Sequence, residues 1–152
     1  MDEHLAEELR FRGGNPSGHI SRSLTSDMVG DADLVLTFEY AQRLRIIDAW
    51  PEHRAKVVPL RQLTEGLHRL GRPIEPSRLP FVVDPDGLSS MEWDIEDPHG
   101  QGPEAARRCA DQIDDALRHI ARALGAQADD FPTRASRHRG RRRRWLPWTG
   151  GR

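Results

Sequence analysis

The stretch Ser90–Gly102, SMEWDIEDPHGQG, gathers residue types that acid–base chemistry uses. Asp97 stands in it, followed by Pro98 and a glycine-rich turn. Pro98 restricts Asp97 to extended backbone and stiffens the loop. A carboxyl group held on such a loop near a pocket can protonate a leaving oxygen. It does so best when partial burial or neighbouring negative charge raises its pKa. Asp94 and Glu96 would supply that charge if they lie close in space. A plainer reading is that Asp-Pro opens a turn ahead of a helix. Asp84-Pro85-Asp86-Gly87 is a second such dipeptide, and no chemistry attaches to it. The residues alone leave both readings of Asp97 open.

Cys109 is the single cysteine. It falls on the apolar stripe of a helix, between Arg108 and Ala110, and the residue six positions on is Asp115. A buried helical thiol is unreactive, so Cys109 reads as core. One cysteine excludes an internal disulfide, and a reducing cytoplasm is the natural compartment. The histidines are scattered, with no pair three or four apart on a helix beside a carboxylate, so no metal site is expected. There is no Walker loop and no dinucleotide glycine pattern.

The hydrophobic pattern predicts the elements that position these residues. Asp2 to Arg12 reads as a helix, with Leu5 and Leu9 four apart and Gly13-Gly14 as its stop. Thr25 or Ser26 can cap a short turn through Asp27 to Val29. Leu34–Phe38 is a continuous apolar run, as in a parallel strand buried on both faces. Tyr40 to Trp50 is a helix with Tyr40, Leu44 and Ile47 on one stripe. Lys56 to Leu60 is a second strand, where Pro59 argues for a sheet edge or a strand end. Leu60, Leu63, Leu67 and Leu70 repeat at helical spacing up to Gly71. Arg72 to Glu92 is irregular, with Phe81-Val82-Val83 a short strand or a hydrophobic plug. A last helix from Pro103 to about Leu124 carries Ala106, Cys109, Ile113, Ala116, Leu117, Ile120 and Leu124 on one stripe, and Gly125 caps it. Strand, helix, strand, helix predicts an α/β fold, three-layer αβα with a small parallel sheet and a right-handed crossover.

A chain of 152 residues suits one domain with a real core. The expected division is a domain over 1–128 and a disordered arginine-rich tail over 129–152. From Arg134 to Arg152 there are eight arginines and no acidic residue, which leaves 15 basic against 24 acidic residues in Met1–Thr133, a net of −9. Lys56 is the only lysine. No apolar run is long enough to span a bilayer, and the acidic, amphipathic MDEHLAEELR is not a signal peptide. The tail pairs arginines with Trp145 and Trp148. It reads either as a weak contact for anionic polymers such as nucleic acid or as a solvated extension without a partner.

Four segments in order resemble the low-molecular-weight protein tyrosine phosphatases and their arginine-phosphatase relatives. His19, Ser21 and Arg22 match a His-x-Ser-Arg segment. Ala32–Thr37 match an A-D-L-V-L-T strand, with Phe38 in place of Met. Lys56–Leu60 match a K-V-x-x-L strand. Asp94-Ile95-Glu96-Asp97-Pro98-His99-Gly100 matches the acid loop ahead of the last helix. The resemblance covers roughly Asp2 to Leu124. It implies hydrolysis of a phosphate monoester on a phosphorylated protein, or on a small phosphate ester, through a cysteinyl-phosphate intermediate, without metal or other cofactor. By it Asp97 is the general acid, and His19 and Ser21 support the phosphate loop; on the residues alone these two read equally well as a helix-entry turn. His99 and Gln101 stand where the family often has tyrosines at the pocket mouth, so phosphotyrosine and phosphoarginine both stay open as substrates.

The family's Cys-x5-Arg loop is absent from the chain. In the family its thiolate attacks phosphorus and its arginine grips two phosphate oxygens. The first strand, phosphate loop, first helix and second strand of the pattern are missing with it. The expectation is a chain inactive as it stands, from a start site placed too late or a gene fragment. Loss of a central strand would leave the Leu34–Phe38 strand open along one edge. Missing core side chains cost ~2–5 kcal/mol each against a total of about 5–15 kcal/mol, so marginal stability is expected. The rival readings are a non-catalytic protein that binds a phosphorylated partner or regulates a phosphatase, and a nucleic-acid-binding protein acting through Arg134–Arg152.

Overall fold

The structure is a computed structural model and describes residues 2–83 and 91–127. The second Asp-Pro dipeptide and the arginine-rich tail lie outside the described residues. Within them the order is α1 (Glu3–Phe11), α2 (Ser26–Asp31), β1 (Val35–Thr37), α3 (Tyr40–Ala49), β2 (Val57–Pro59), α4 (Leu60–Leu70) and α5 (Pro103–Ala123). Short 3-10 turns occupy Pro51–Lys56, Pro76–Phe81 and Met91–Trp93. β1 and β2 pair in parallel, with Val35 opposite Val57 and Thr37 opposite Pro59. The result is a small α/β arrangement in which α3 is the crossover.

Local chemistry explains the element ends. The Asp2 carboxylate accepts from the His4 and Leu5 N–H groups at 3.0 and 3.2 Å and caps α1. Gly13 follows in the left-handed region at φ +83° and ends that helix. Thr25, not Ser26, caps α2, its hydroxyl accepting from Met28 N–H at 3.3 Å. The α2 exit is then clamped by Lys56, whose Nζ donates to the Gly30 and Ala32 carbonyls at 2.7 and 2.8 Å. Pro59 is the last residue of β2, opposite Thr37, and leads straight into α4, as expected of a proline at a strand end. Gly71, at φ +63°, closes α4.

The core lies where α4 and α5 pack together with β2. Val58, Leu63, Leu67, Ile95, Cys109 and Ile120 belong to it. α1 packs on the outer side of α5, and Arg12 fastens it there through Glu8, Asp111 and Asp114.

Three expectations are corrected, and one left open between two readings is decided. β1 is not buried on both faces: Thr37 is buried, but Leu36 is 38% exposed. Successive strand residues point to opposite faces, so Leu36 lies on the face that Thr37 does not. In α3 the residue turned inward is Arg43, and Leu44 is exposed. On α5, Ala106, Cys109, Ala116 and Ile120 are buried, whereas Leu117 and Leu124 are exposed. Phe81–Val83 form no strand; Val83 plugs the core while Phe81 points to solvent, 81% exposed. Among the described residues no helix is long and apolar enough to cross a membrane.

Candidate functional site

In a parallel α/β sheet, ligands bind beyond the carboxyl ends of the strands. The loop that bears Asp97 is fastened there. Ile95 N–H donates to the Phe38 carbonyl, one residue past β1, at 2.8 Å. The Asp94 carboxylate accepts from Tyr40 N–H at 2.7 Å, at the start of α3. Arg61, in the first turn of α4, donates from Nη1 to the Glu92 and Asp94 carbonyls at 3.3 Å each. Ile95 is 2% exposed and Pro98 is buried. Asp97 therefore sits between two anchored positions while its own carboxyl faces solvent.

The turn after it is tight. Asp97 Oδ1 accepts from His99 N–H at 3.0 Å, and Gln101 Nε2 donates to the Asp97 carbonyl at 2.7 Å. Gly100 and Gly102 take positive φ to bring the chain onto α5. This is the local geometry of a side-chain-capped turn. The turn reading and the acid reading thus describe one loop. A general acid held by partial burial would be less exposed than this carboxyl. Asp94, expected to lend charge to Asp97, holds the start of α3 instead.

The other sequence candidates are dispersed. His99 Nδ1 lies 3.5 Å from Asp2 Oδ2, so this side chain faces the cap of α1. His19 and Ser21 are exposed on the segment between α1 and α2, with Ser21 Oγ 3.5 Å from His19 Nε2. Among the described residues neither side chain is hydrogen-bonded to the acid loop.

Cys109 is buried on α5, 8% exposed. A polar cavity of about 260 Å³ lies beside it, lined among others by Arg61, Asp94, Glu96 and Arg108. Burial, and then the negative charge of Asp97, push the Cys109 thiol up from its ordinary value. That direction disfavours the thiolate a nucleophile needs. A thiol in mid-helix also finds its neighbouring backbone N–H groups committed to the helix, with none left to cradle a phosphate. Among the described residues no cluster of His, Cys, Asp or Glu is placed to hold a metal.

Two arginines were not legible as site residues. Arg61 pins the acid loop, and its only sequence signal is its place in the first turn of α4. Arg43 is buried among apolar neighbours, a position that apolar periodicity assigns to other residues. Compared with protein-family models, with curated proteins and with solved structures, the chain matches none.

Proposed function

We propose that this chain carries part of a low-molecular-weight tyrosine-phosphatase-like domain of three-layer αβα type, with Asp97 as its general acid. One observation carries the reading: the loop bearing Asp97 is hydrogen-bonded, through Ile95, to the carboxyl end of β1. A proton donor is useful at that end of a parallel sheet. Asp97 would protonate the leaving oxygen of phosphotyrosine, or the leaving nitrogen of phosphoarginine, on a protein or a small phosphate ester. No metal or other cofactor takes part. The attacking sulfur is not supplied by this chain, because its one cysteine is buried in α5 with a raised pKa. Alone, then, the chain turns nothing over. Its single unpaired thiol fits a reducing cytoplasm.

The test uses p-nitrophenyl phosphate. The full chain alone is expected to give no turnover. A separate fragment holding a family Cys-x5-Arg strand–loop–helix unit should restore turnover when mixed with it. Asp97→Asn should then cut the restored rate by roughly 10²–10⁴-fold. Turnover by the chain alone would overturn the reading. So would a restored rate that is indifferent to Asp97.

A further inference from the structure

Among the described residues Arg43 is a poorly accommodated charge. It lies in the middle of α3 and is 4% exposed. Its Nε donates to the Val57 carbonyl at 3.0 Å, while Nη2 is buried with no hydrogen-bond partner. Among the described residues no carboxylate forms an ion pair with it. A guanidinium withdrawn from water is costly unless an anion and good hydrogen bonds accompany it.

A cavity of about 300 Å³ adjoins it, walled on the apolar side by Val57, Val58, Pro80 and Val83. Arg54, Glu52 and Ala55 complete the lining. Burial, and then the positive charge of Arg54, lower the Arg43 pKa from its ordinary value. Arg43 and Arg54 line the same cavity, and one anion shared between them would relieve both. Glu52 does not fill that role toward Arg43. It forms no ion pair with it, and its side chain, 61% exposed, lies 3.8 Å from His53.

Two guanidiniums and one carboxylate leave the lining with a net charge of +1. A monoanion balances that; a phosphate dianion would leave an excess negative charge against apolar walls. We propose that this cavity binds a small apolar carboxylate. Its carboxylate group is shared by Arg43 and Arg54, and its apolar body rests on Val58, Pro80 and Val83. The cavity lies in the size range of small-molecule sites, and its make-up of apolar wall and few charged groups is typical of them. The site is independent of the acid loop and of the phosphatase reading.

The test is calorimetric titration of the full chain with benzoate, with benzamide as its uncharged counterpart, and with inorganic phosphate. Benzoate should bind and raise the melting temperature. Benzamide should bind at least roughly tenfold more weakly, as expected for loss of a charge-assisted contact. Arg54→Ala should weaken benzoate by roughly tenfold, and Arg43→Gln should abolish its binding. Arg54 is exposed, so its variant keeps the fold and decides the matter even where Arg43→Gln unfolds the chain. No benzoate binding at millimolar concentration would overturn the proposal. Equal affinity for benzamide or phosphate would do the same, as would an Arg54→Ala protein that binds benzoate unchanged.

Discussion

Arg12 joins the first helix to the last through one guanidinium facing three carboxylates, with Asp111 at 2.6 Å and Asp114 at 3.2 Å. Burial works against its charge, but Glu8, Asp111 and Asp114 outweigh that and raise its pKa. The carboxylates are 21–44% exposed, so solvent reduces what the cluster is worth. Arg12→Met is expected to lower stability by about 1–3 kcal/mol in a urea titration, with α1 fraying first. Asp2 gives a pH prediction. Its pKa is lowered, first by the Leu5 N–H, with the His4 N–H adding to this and desolvation opposing it. A depressed carboxyl contributes stability above its unfolded value and loses it as pH falls through the folded one. The cap should thus hold at pH 7 and fail only below the ordinary value of 3.8. The amide shifts of His4 and Leu5 in an acid titration would report it. At this scale the sequence was informative where chemistry is local. The core placement of Cys109 and the turn at Asp97 follow from neighbours within a few residues. The turning of His99 toward Asp2, and of Asp94 toward Tyr40, joins residues far apart in the chain, so no local pattern announced it.

Gly66 shows how one helix constrains a loop. Glycine inside a helix normally costs about 1 kcal/mol relative to alanine, so Gly66→Ala in α4 would ordinarily stabilise. Here a Cβ at Gly66 would fall 2.7 Å from Val82 Cγ1 and 2.9 Å from the Val82 carbonyl oxygen. The second of these is backbone and yields poorly. Gly66→Ala is expected to destabilise by about 1–3 kcal/mol, seen as a lower urea midpoint at unchanged slope. The glycine lets Val82 and Val83 approach α4 and lets Val83 reach the core. Helix ends were legible in the chain because caps and glycines act over three or four residues: Asp2, Thr25 and Gly71 all do what their types suggest. Faces were less legible. Of the stripe through Tyr40, Leu44 and Ile47, Tyr40 and Ile47 are half-buried but Leu44 is exposed, because α3 turns Arg43 to the sheet, and apolar periodicity cannot foresee a buried cation.

At the scale of the molecule, apolar side chains stay exposed among the described residues. β1 has one partner strand, and Leu36, Phe38, Leu44 and Leu117 are each more than a third exposed. An open edge beside apolar side chains invites pairing between molecules. The chain is expected to unfold with less than about 5 kcal/mol and to associate as its concentration rises. Urea titration and sedimentation would measure the two. Leu36→Lys should reduce association without lowering the urea midpoint, because that side chain already meets solvent. The parallel β1–α3–β2 unit was readable from alternating patterns. An open edge along the Leu34–Phe38 strand was expected as well; the exposure of Leu36 was not, because what covers a face is decided by distant segments. The clamp on α2 has a practical consequence. Lys56 carries the chain's one side-chain amine, and two carbonyls hold it in place. Acylation of that nitrogen should be slowed while the Gly30–Ala32 corner holds it. Uptake of label at this one site, followed by mass, would act as a clock for how often that corner breathes.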